Sequence, residues 1–85
     1  MSRLIPAAER IVRSRALIQK ARELPIPSEN GRHDFSYIAN VKDLLRQARD
    51  LVKFISMTPS ATAEIKDEVK KIYQEADQAD QEILH

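Results

Sequence analysis

The chain has 85 residues, enough for one small unit, since single cores usually need roughly 50 to 200. Apolar residues make up 42% of it and charged residues 32%, with one glycine, four prolines, no cysteine and a net charge of +1. This composition excludes disulfides, thiolate metal sites and the turn-rich chemistry of an all-β fold, and no apolar run approaches the ~20 residues that span a bilayer.

The first periodic segment runs from about Pro6 to Leu24. Pro6 suits an opening turn, where a missing N–H is harmless, and Pro25 forces a stop at Leu24. Leu4, Ala7, Ile11, Ser14, Leu17, Ile18, Ala21 and Leu24 form its apolar stripe. Arg15 and Arg22 press against one edge, where their stems can pack while the guanidinium groups reach water. Arg13 and Lys20 lie beyond the other edge, and Arg10 falls inside the stripe. Residues 25–33 are the loop, stiffened by Pro25 and Pro27 and carrying the turn signal Asn30-Gly31.

Asp34 is the expected N-cap of a second helix reaching about Met57. At 100° per residue its positions Tyr37, Ile38, Val41, Leu44, Leu45, Ala48, Leu51, Val52 and Ile55 fall within an arc of about 140°. A stripe this wide faces two neighbours, so this helix is expected to be central. Phe54 lies about 60° outside the stripe, where aromatics cover a bundle end or anchor a partner.

Thr58 as N-cap and Pro59 in the first turn predict a third helix over 59–84, joined to the second by a very short break. Thr58-Pro59 also fits a proline-directed phosphorylation site, although capping is a sufficient reason for the pair. Ile65, Val69, Ile72, Ala76, Ala79 and Ile83 recur at heptad spacing in a seam only about 80° wide, a coiled-coil-like pattern. Beyond Tyr73 that seam holds mainly alanine, which gains little from burial, so this half is expected to be weakly held and open to a partner. No stop signal follows Ile83-Leu84-His85. A helix that frays there, or one that continues into a longer protein, would both fit.

Charge is unevenly distributed. Residues 1–33 carry seven basic and three acidic side chains, and residues 58–85 carry three basic and seven acidic ones. The opposite ends can pair with each other or orient a partner.

Catalytic chemistry is not expected. The histidines are His33 in the loop and His85 at the terminus, with no cysteine and no glycine-rich phosphate loop. The carboxylate pairs Glu64/Glu68 and Asp77/Asp80 read as a solvated face. Neither cofactor nor metal is implied. Nucleic acid is the rival class, with Arg10, Arg13 and Lys20 as phosphate contacts; the basic residues are spread around the stripe and no aromatic interleaves them. Residues 1–22, with six basic side chains and one acidic, also have the composition of a mitochondrial presequence, which would make the chain a small mitochondrial assembly factor. The first helix is nevertheless expected to be structural, because its removal would uncover the second.

The expected fold is therefore all-α: a three-helix bundle, up-down-up, with a coiled-coil-like third helix over a single domain, 1–85. The expected function is a non-enzymatic docking or adaptor module, suited to the N-terminal end of a larger protein. It would bind another protein's helix or self-associate in an intracellular compartment, cytoplasmic or nuclear. Phe54, Tyr73, Ala76, Asp77, Ala79, Asp80, Ile83 and Leu84 are the candidate partner contacts.

Overall fold

A computed structural model describes residues 6–29, 31–55, 57 and 61–84. It is an all-α three-helix bundle: α1 spans Ala7–Glu23, α2 Phe35–Lys53 and α3 Ala63–Leu84, with a 3₁₀ turn at Gly31–His33. Leu4, Asn30, Thr58, Pro59 and His85 lie outside the described residues.

Local chemistry accounts for most helix ends. Pro6 takes the N-cap position with φ −57° and ψ 148°, and its carbonyl accepts from the Arg10 N–H at 3.0 Å. Leu24 is extended (φ −59°, ψ 134°), as a residue before proline must be, so α1 closes at Glu23. Gly31 has φ 55°, and its carbonyl accepts from the Asp34 N–H at 3.3 Å. That turn delivers Asp34 to the N-cap of α2, where its carboxylate accepts from the Tyr37 N–H at 2.9 Å.

Two boundaries differ from the sequence reading. Regular α2 ends at Lys53 rather than about Met57, because the backbone tightens into i→i+3 bonds, Ile55 N–H to Val52 and Met57 N–H to Phe54, both 3.2 Å. Helix α3 starts at Ala63, later than the 59 expected, with Ala61 and Thr62 outside it. Thr62 is its cap: the hydroxyl accepts from the Ile65 N–H at 3.2 Å and the carbonyl from the Lys66 N–H at 3.0 Å.

All three helix pairs touch. α1 and α2 run antiparallel, since Arg10 reaches Leu51 while Ser14 reaches Ala48. α1 and α3 run parallel, since Arg15 meets Glu68 and Glu75 while Arg22 meets Glu82. The path is up-down-up.

One apolar core fills the centre, built from Ile11, Ile18 and Ala21 of α1, Tyr37 to Val52 of α2, Ile55, and Val69 to Ile83 of α3. Small residues set the helix separations. Ala21, Ala48, Ala76 and Ala79 are fully buried, and so is Ser14, the one buried polar side chain among the described residues. A serine side chain is short. Its Oγ can donate to the Ala48 carbonyl at 2.6 Å only because the α1 and α2 backbones lie close together there. This bond satisfies the hydroxyl and removes the penalty for burying it.

Candidate protein-interaction surface

The acidic edge of α3 and the alanine seam beside it were the strongest expectation for a partner surface, and the structure places them differently. Ala76 and Ala79 are at 0% exposure and Ile83 at 8%, all in the core against α1 and α2. The expectation of an open seam is thereby corrected. Alanine supplies little area, but it permits close backbone approach, and the neighbouring helices fill the space. Tyr73 and Leu84 are half-buried against the same core.

The acidic side chains flank this seam on two sides. Toward α1, Glu68, Glu75 and Glu82 recur every seven residues, opposite Arg15 and Arg22, which are also seven apart. Arg15 spans two of the acids, at 2.6 Å to Glu68 and 3.2 Å to Glu75, and Arg22 pairs with Glu82. A shared heptad step lets parallel helices keep the same charge pairing turn after turn. Toward α2, Asp77 pairs with Arg49 at 2.7 Å. Asp80 is half-buried, and its Oδ1 accepts no hydrogen bond from the protein.

The ladder perturbs its members as charge pairing should. Glu68 is held below the usual carboxylate range chiefly by the hydrogen bond from Arg15, with Lys71 adding to it, and Arg15 is raised in turn, above all by Glu68. Glu82 is lowered by its hydrogen bonds from Arg22 and Gln78. Lys71 is raised by Asp67 first and Glu68 second. The expected solvated pairs Glu64/Glu68 and Asp77/Asp80 are thus not simply solvated, since Glu68 and Asp77 are both taken up by arginines of other helices.

The residues proposed for anionic partners divide similarly. Arg10 is half-buried and donates toward the Leu51 carbonyl at 3.4 Å. Arg13 pairs with Glu9 of its own helix at 2.9 Å, while Lys20 is exposed. Among the described residues, no three His, Cys, Asp or Glu side chains cluster as metal ligands would, and no helix is long and apolar enough to cross a membrane.

The surplus apolar surface lies elsewhere. Phe54, singled out from its angle on the helix, is 61% exposed, and Met57, one turn on, is 72% exposed. The bond from the Met57 N–H to the Phe54 carbonyl holds the two in a single turn at the end of α2. The Lys53 ammonium lies 5.8 Å from the centre of the Phe54 ring. At the opposite end of α2, Phe35 is 89% exposed beside a groove of about 170 Å³ between the proline loop and the start of α2, and Ile26 of that loop is also exposed. Met57, Phe35 and the Arg/Glu ladder were not anticipated. The ladder's signal was present as matched seven-residue spacings, and Phe35 sits on the side of α2 away from its stripe.

Comparison with protein-family models, curated proteins and solved structures finds no match.

Proposed function

We propose that this chain is a non-enzymatic helical interaction module, a docking or adaptor element that meets its partner through the outer side of α2 and the turn that ends it. One observation carries the reading: Phe54 and Met57 hold two large apolar side chains in solvent although the core closes without them. Aromatic residues and methionine are enriched at protein interfaces, and methionine adapts its shape to a partner. Burial of Ala76, Ala79 and Ile83 moves the preferred surface from α3 to this turn, with Phe54 retained. Glu68, Glu75 and Glu82 pair with arginines of α1 and Asp77 with Arg49 of α2, which leaves these four little scope for general acid–base work. An intracellular setting fits the cysteine-free composition.

The test is co-purification of cellular proteins with the wild type and with a Phe54→Ser, Met57→Ser variant, after circular dichroism has shown equal helicity. Loss of a co-purifying protein from the variant is the expected result, and identical sets from both, together with a wild type that stays monomeric, would overturn the reading. Nucleic-acid binding through Arg10, Arg13 and Lys20, the rival, has weak support: Arg13 is ion-paired with Glu9 and Arg10 donates toward the Leu51 carbonyl, while Lys20 is exposed. A steep salt-dependent affinity for DNA or RNA would reinstate it.

A further inference from the structure

The side of α2 opposite the core carries a second heptad pattern. Ala39, Asp43, Arg46, Asp50, Lys53 and Met57 follow one another at steps of 4, 3, 4, 3 and 4, and all six are exposed. From Ala39 to Lys53, at 100° per residue, this row lies about 180° from Ala48 and about 140° from Val52, which face the core, and Met57 follows in the tightened turn after Lys53. Its order is apolar, acid, base, acid, base, apolar. That order is self-complementary in one orientation only. When two copies lie antiparallel about a two-fold axis beside position 48, Asp43 meets Lys53 of the second copy and Arg46 meets Asp50, with Ala39 toward the turn that carries Met57. Every pair then repeats by symmetry. In a parallel arrangement each charge would face its own like, which is repulsive.

We infer that this outer face of α2 is a self-association surface whose occupant is a second copy of the same chain, antiparallel and two-fold related. The inference rests on the interaction-module reading and names the partner. Asp43 already accepts from Arg46 at 2.5 Å and Gln47 at 2.7 Å, which holds it in place on the outer face, and a carboxylate has lone pairs left for a lysine of the second copy. One helix face is a small interface, so the association is weak and concentration-dependent.

Sedimentation between roughly 10 µM and 1 mM covers the range for so small a contact. The wild type should shift from monomer toward twice that mass as concentration rises, and less so at high salt. Asp43→Lys with Asp50→Lys makes the row wholly basic, while Arg46→Glu with Lys53→Glu makes it wholly acidic; all four positions are exposed, and circular dichroism checks that both variants remain helical. Each variant alone should be monomeric, and an equimolar mixture should associate again. Because the chain has no cysteine, Ala39→Cys with Met57→Cys supplies an independent readout: oxidation should cross-link two copies. A wild type that stays monomeric throughout overturns the inference, as does a dimer that both charge variants leave intact, or a mixture that fails to associate. If the wild type is monomeric yet loses a cellular partner on Phe54→Ser, Met57→Ser substitution, the second copy is excluded while the interaction reading stands.

Discussion

Helix α1 is held by two unlike seams. Its inner face contributes Ile11, Ser14, Ile18 and Ala21, all buried in the core shared with α2 and α3, and the one side-chain hydrogen bond in the interior among the described residues runs from Ser14 to a neutral backbone carbonyl of α2. Against α3 its edge is a run of arginines and glutamates at the surface. The first seam removes apolar area from water and tolerates almost no change of volume. The second exchanges one set of solvated charges for another, so it adds little stability but prefers one direction and one register of α3. Stability and specificity are therefore assigned to different sides of the same helix.

The interior seams break hardest. Ala76→Asp with Ala79→Asp would place two carboxylates where the residues are fully buried, and each unpaired buried charge costs several kcal/mol. A bundle of this size has only about 3–5 kcal/mol to lose, so the double variant should be unfolded at 25 °C, as read by circular dichroism. Retained helicity would mean that the alanine seam is open after all. Ser14→Leu is the milder probe of the α1–α2 approach. It removes the bond to Ala48 and forces a larger side chain between two close backbones, at about 1–3 kcal/mol in a urea melt. A neutral result would show that the helices sit further apart than the 2.6 Å bond implies.

How far all this was readable from sequence depends on which seam is considered. Most of the α2 stripe was legible, with Tyr37, Val41, Leu45, Ala48, Val52 and Ile55 buried and Ile38, Leu44 and Leu51 half-buried, because a wide face of bulky residues leaves a clear period, and Asp34 and Pro25 mark their boundaries by local chemistry that needs no tertiary information. The start of α3 was not, because Thr58 and Thr62 are equally competent caps four residues apart. The alanine seam was misjudged for a physical reason: periodicity weighs side chains by hydrophobicity, whereas alanine works by letting backbones approach. The up-down-up path already makes α1 and α3 parallel, and their opposite charges can pair; the Arg/Glu ladder needed in addition the register that aligns two independent seven-residue steps. Arg15 and Arg22 were placed on the correct edge, but their partners were not assigned.

The charged seam yields the smallest effect and the most selective test. Glu68 and Glu82 have folded-state pKa values below the ordinary glutamate value because the arginines favour their ionised forms. Their contribution is therefore fully present above the unfolded-state value, near about 4.3, and is lost as pH falls through the lower folded-state value. The wild-type pH profile alone does not isolate the ladder. The difference between wild type and an Arg15→Gln, Arg22→Gln variant does, because the glutamine side chains keep hydrogen-bonding groups but carry no charge. In low salt at neutral pH the variant should melt slightly lower than the wild type. The gap should close on acidification, as the glutamates become neutral in both chains, and it should also narrow in high salt at neutral pH. The arginine stems pack along the helix edge, so a gap that persists unchanged across pH and salt would mean that they hold α3 by contact area rather than by charge. In that case the contrast between the two seams of α1 would reduce to one of burial alone.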